Sequence, residues 1–109
     1  MINPAGTKKI GLVQKGDVRE IGTVRVVTNT TTELVDDELI ICNKATVMTV
    51  NLLAATGSRR ELKISSINDG VVTVTPNGAD TINGEVSQAI YNGSCMVIED
   101  YAVNKWLIT

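Results

Sequence analysis

Residues 64–109, ISSINDGVVTVTPNGADTINGEVSQAIYNGSCMVIEDYAVNKWLIT, carry four Asx-Gly dipeptides: Asp69-Gly70, Asn77-Gly78, Asn83-Gly84 and Asn92-Gly93. Glycine after Asn or Asp marks a tight turn needing positive φ, because neither residue meets the full Cβ penalty there. Every segment between or beside these turns contains Val, Ile or Thr, residues that fit a pleated surface better than a helix. Short strands folded back and forth are the consequence.

The rest of the chain agrees. Its 109 residues suffice for one domain, and they include no Phe, one Trp and two Tyr, so the core is aliphatic. Val (14), Thr (13) and Ile (11) make up about a third of the residues. Strands are expected at Thr23 to Thr28, Glu38 to Cys42, Thr46 to Leu52, Glu61 to Ile67, Val71 to Thr75, Gln88 to Tyr91, Ser94 to Glu99 and Lys105 to Ile108. Eight short strands separated by turns predict an all-β fold, a small antiparallel β-sandwich or jelly roll. The only helix-friendly stretch, Leu52 to Thr56, is about one turn long and ends at Gly57.

Val72 and Val74 alternate with Thr73 and Thr75, which gives that strand one wet face. Leu39-Ile40-Ile41-Cys42 and Met96-Val97-Ile98 are apolar on both faces, and no amphipathic helix exists to cover the second face. A second copy of the chain is the expected cover, with Leu39, Ile41 and Val97 as candidate subunit-interface residues. Cys42 and Cys95 lie in these apolar runs and are expected to be reduced, buried thiols rather than a disulfide.

Residues 1–22 differ in character, with Pro4, Gly6, Gly11, Gly16 and Gly22 spaced too closely for a long element. They form an expected N-terminal arm ahead of a sandwich domain at 23–109. The arm carries a net charge of +2 against −4 for the remainder, and it can either dock on a neighbour or stay solvated. Lys8, Lys9, Ile10 and Leu12 are its candidate anchor residues. The whole chain has a formal charge of −2 and a pI near 5.0, so no nucleic-acid partner is expected. No apolar run approaches the roughly 18–20 residues of a membrane-spanning helix, and residues 1–11 lack the apolar segment of a secretory signal. The expectation is a chain made in a cytosol that does not insert into membranes.

Catalytic chemistry has little to work with. The chain has no histidine, which removes the side chain best suited to proton transfer near neutrality and the commonest metal ligand. Two cysteines with 52 residues between them make no metal cluster without histidine, and no phosphate-cradling glycine loop is present. Asp36-Asp37-Glu38 and Glu99-Asp100 are paired carboxylates, but neighbours on a strand point to opposite faces. Turn and solvation roles suit them better than calcium binding or glycoside hydrolysis. Asn29-Thr30-Thr31 and Asn92-Gly93-Ser94 match the short glycosylation pattern, read as chance matches in the absence of a signal peptide. Trp106, the one large aromatic, is read as a core anchor over a sugar-stacking platform. The expectation is a protein that is not an enzyme and holds no cofactor or metal.

Leu62 to Ile67, Val71 to Thr75, the Pro76/Asn77-Gly78 turn, Asp80-Thr81-Ile82-Asn83-Gly84, a variable hairpin, Cys95 to Ile98 and the closing Trp106-Leu107-Ile108 follow one another in an order that resembles a module of bacteriophage fibres and other virion-surface appendages. Leu34 to Cys42 and Thr46 to Leu52 match the two strands that usually precede it, so the resemblance spans about four fifths of the chain. It implies a small sandwich or jelly roll that trimerises, with apolar residues buried between subunits, in a structural or adhesive protein.

Fibre heads normally follow long shafts, whereas this sequence opens at Met1 with only residues 1–22 ahead of the expected domain. That favours a trimeric capsid decoration or cement protein, made in a bacterial host, located on the virion surface and held to other capsid or tail proteins by its arm. The alternative is a receptor-binding tip, a fibre head or tail-needle knob adhering to a host glycan or surface protein. Asp80, Asn83, Glu85, Tyr101 and Asn104 are the candidate exposed-loop contacts, since loops on a rigid scaffold suit adhesion.

Overall fold

The computed structural model describes residues 22–109 and contains ten strands within them: β1 (Thr23–Val27), β2 (Thr31–Thr32), β3 (Asp37–Cys42), β4 (Met48–Asn51), β5 (Glu61–Ser66), β6 (Val72–Thr75), β7 (Thr81–Ile82), β8 (Gln88–Ile90), β9 (Cys95–Ala102) and β10 (Lys105–Ile108). They form a six-stranded sheet in the order β1-β3-β5-β9-β10-β7 and a four-stranded sheet in the order β2-β4-β6-β8. All eight predicted strands are present, trimmed or extended at their ends. The two-residue strands β2 and β7 are additions, too short to leave a period in the sequence.

The all-β class and the two-sheet build are as expected, but the sheets are mixed rather than antiparallel. β1, β3 and β5 lie parallel in one sheet, and β2, β4 and β6 lie parallel in the other. From β1 to β6 the chain therefore crosses from sheet to sheet after every strand and makes three stacked turns, a short coil in place of a meander. Leu39 pairs with Lys63 and Met48 with Val72, so the second and third turns are offset by 24 residues in both sheets. Antiparallel pairing enters only afterwards, where β8 joins β6 and β9 joins both β5 and β10. β7 adds a short parallel edge to β10.

One apolar core fills the space between the sheets. Ile40, Leu62, Ile64, Ile98 and Trp106 of the larger sheet and Met48, Val50, Val72, Val74 and Ile90 of the smaller one belong to a single buried cluster. The alternation along each strand produces this, since every second residue points inward. Trp106 is 1% exposed, in the anchor role, and the Arg60 guanidinium lies 4.9 Å from the centre of its ring. Cys42 is buried and its thiol pKa is pushed up by burial to about 11. Cys95 corrects its reading as a core thiol: it opens β9 on the outward face and is exposed, and both cysteines are free.

A charge lies between the sheets at the β1 end of the coil. Arg25 occupies an inward position on the edge strand β1, paired in register with buried Ile40. Its Nε and Nη2 donate to the two carboxylate oxygens of Asp37 at 2.9 and 2.8 Å. Nη1 and Nη2 also reach across to the Thr31 hydroxyl and the Thr32 carbonyl of the other sheet. The Asp37 carboxylate holds the Arg25 pKa above its ordinary value. An inward-pointing charge on an edge strand disfavours further strand stacking, and β1 is the edge of this sheet among the described residues.

Leu52 to Thr56 forms no helix, and hydrogen bonding explains why. The Leu53, Ala55, Thr56 and Gly57 N–H groups donate to the side-chain carboxylates of Glu33, Asp80 and Asp100. Those donors are unavailable to the carbonyls of a helical turn.

Candidate functional site

The outer face of the six-stranded sheet is the first candidate, because it gathers all three residues expected at a subunit interface. Leu39 pairs with Lys63 and Lys63 with Val97, so Val24, Leu39, Lys63 and Val97 form one row across four strands. Val26, Ile41, Ser65 and Cys95 form the next row. At about 4.8 Å between strands, each row is some 15 Å long. Val24 and Val26 are 60% and 61% exposed. The sequence reading missed both valines, since only the parallel pairing of β1 with β3 brings them beside Leu39 and Ile41.

Charge on this face is asymmetric. Lys63 is the one ionisable amine in the two rows, while Glu61 and Glu99 pair directly in the flanking row. Arg59, just before the start of β5, binds the Glu99 carboxylate.

The five loop candidates do not form one cluster. Asp80 corrects its reading as an exposed contact, being only 6% exposed. Its Oδ2 accepts the Ala55 N–H at 2.9 Å. Asn104, in the β9–β10 turn, has a positive φ of 66°, donates its N–H to the Ala55 carbonyl and accepts the Thr81 N–H. Tyr101 is exposed one strand position from that turn. Asn83 and Glu85 lie in a separate turn beyond β7, closed by paired backbone hydrogen bonds between Ile82 and Glu85. Asn83 Oδ1 also accepts the Ile108 N–H at 2.8 Å, clamping β10. Lys8, Lys9, Ile10 and Leu12 lie outside the described residues, as does nearly all of the expected arm.

A polar cluster missed in the sequence surrounds the loop from Leu53 to Arg60. Glu33 accepts the Leu53 N–H through Oε1 and the Arg60 Nε through Oε2. Asp100 accepts the Thr56 and Gly57 N–H groups, the Thr56 and Ser58 hydroxyls and Arg60 Nη1. Burial raises the Glu33 pKa, and the Leu53 N–H and Arg60 only partly offset it. Burial opposes the Asp100 charge as well, but its N–H and hydroxyl donors with Arg60 outweigh that and hold its pKa below the ordinary value. Each carboxylate oxygen is occupied by donors that hold the loop, which makes this a structural bracket. Among the described residues no group of three or more His, Cys, Asp or Glu is placed to hold a metal ion, and no helix is long and apolar enough to cross a membrane.

The sheets also differ in width, six strands against four, and a cavity opens where the smaller one stops. It measures about 160 Å³ and its lining includes Ala89, Ile90, Tyr91, Ser94, Met96 and Ile108. Comparison of the chain with protein-family models, with curated proteins and with solved structures finds no match.

Proposed function

We propose that this chain is a non-enzymatic structural protein of a bacteriophage virion surface, a trimeric decoration module attached to other virion proteins through residues 1–22. The observation that carries the reading is the aliphatic patch that β1 and β3 place on the outer face of the six-stranded sheet. Val24 and Leu39 beside Val26 and Ile41 make a contiguous aliphatic patch, with Val97 on the far side of Lys63 and Ser65, and a free monomer seldom leaves such a patch bare. A second copy is a fitting cover, because Lys63 on one copy can meet Glu61 or Glu99 on another. The trimer and the virion setting come from the resemblance to fibre and appendage modules.

Deleting residues 2–20 tests the attachment. The truncated protein should remain folded and trimeric yet no longer bind particles lacking their native copies. Normal decoration by the truncated protein would contradict the role given to the arm.

A second reading, a receptor-binding tip, is favoured by the exposed Tyr101 beside the Asn104 turn. Binding of the purified protein to host cells that is lost in Y101A would support it, and a decoration protein should show no binding that depends on Tyr101.

A further inference from the structure

The outer face of the four-stranded sheet has the opposite character to that of the larger sheet. Thr32 pairs with Asn51 and Asn51 with Thr75, while Thr49 pairs with Thr73 in the adjacent row. Val50 and Val74 between them point into the core, so these five side chains share the outward face. Parallel, in-register pairing repeats the rows at about 4.8 Å across strands and about 6.6 Å along them. Elsewhere in the fold the Thr30, Thr31 and Thr56 hydroxyls are engaged in hydrogen bonds. Among the described residues, the hydroxyls and amide of the five make none.

None of the five is ionisable, in a chain of which 20% is charged. Tyr91, two residues along the chain from the Ala89 that pairs with Thr73, is 63% exposed at the border of the array and lines the 160 Å³ cavity. We infer that this face binds a neutral glycan chain. Threonine hydroxyls both donate and accept, which matches a polymer whose own hydroxyls do the same. The absence of charge matches an uncharged ligand and leaves anionic polymers with no cation to meet. Tyr91 offers an exposed aromatic ring with a polar tip for the apolar face of a sugar. Single contacts of this kind are weak, and display of many copies on one surface raises the avidity. The inference rests on the chain being displayed on a surface, but not on how its copies assemble.

The test uses the full-length protein on an array of neutral glucans, mannans and galactans beside sialylated and sulfated polymers. Binding to at least one neutral polymer is expected, and it should persist in 1 M salt because no ion pair is involved. T49V/T73V should weaken it at least about tenfold with an unchanged melting temperature and unchanged sedimentation, and Y91A should weaken it separately. Binding confined to charged polymers, loss of binding in high salt, or T49V/T73V binding like the parent would each overturn the inference. So would T49V/T73V altering sedimentation instead, since that assigns the face to subunit packing. Sedimentation of the parent reports on assembly independently, so a failed glycan inference leaves the proposed structural role to be judged by its own experiments.

Discussion

Asp100 is fully buried and accepts hydrogen bonds from four residues, Thr56, Gly57, Ser58 and Arg60. Replacing it with Asn keeps the shape, removes the charge opposite Arg60 and turns one acceptor oxygen into a donor. The expected loss is about 2–4 kcal/mol, seen as a lower denaturant midpoint with an unchanged slope. The pH dependence follows from the two carboxylates, with opposite signs. The folded chain holds the Asp100 proton less tightly than the unfolded chain, so its stabilisation is complete above the ordinary carboxylate range. It is lost as pH falls through the lowered value. Glu33 is raised, so the folded state gains from it as pH falls through the raised value toward the ordinary one. D100N should therefore lose less stability than the parent below about pH 4, and an identical acid limb in both proteins would contradict the Asp100 assignment.

Gly70, between β5 and β6, separates turn chemistry from packing. The sequence marks Asp69-Gly70 as a positive-φ turn like the other three, and Gly78, Gly84 and Gly93 do have φ of 55°, 81° and 84°. Gly70 is not in that region. It is glycine because the third turn of the coil presses on the second: a Cβ there would stand 1.9 Å from the Thr46 carbonyl oxygen. G70A should cost about 1–3 kcal/mol or more, whereas G78A, facing open space, should lose only what its positive φ demands. Equal melting temperatures for G70A and the parent would contradict the close stacking.

The strands themselves were legible, since alternation such as Val72-Thr73-Val74-Thr75 depends on local period alone. Their direction was not, because parallel and antiparallel neighbours show the same period. One signal was available: Val47-Met48-Thr49-Val50 and Val71-Val72-Thr73-Val74 are similar at the 24-residue offset of the coil. The outward placement of Leu39, Ile41 and Val97 was legible, because each lies in a run that is apolar on both faces. Asp80 was not legible as buried, because its partner is the Ala55 N–H, 25 residues away.

Across the whole molecule, two sheets share one core but present unlike surfaces. The six-stranded sheet shows valine, leucine and isoleucine on β1 and β3, bordered by Lys63 and Ser65, and the four-stranded sheet shows threonine and asparagine. Assembly through the first leaves the second free, and Cys95, in the same row as Ile41, reports on it. Its thiol should be protected in the assembled protein and react readily in I41K, while Cys42 stays unreactive in both until unfolding. The most direct measurement is sedimentation equilibrium of the full-length parent at micromolar concentration. A species three times the chain mass of 11.7 kDa, falling to one chain mass in I41K, is the predicted result. A parent that sediments as a folded monomer would contradict the account.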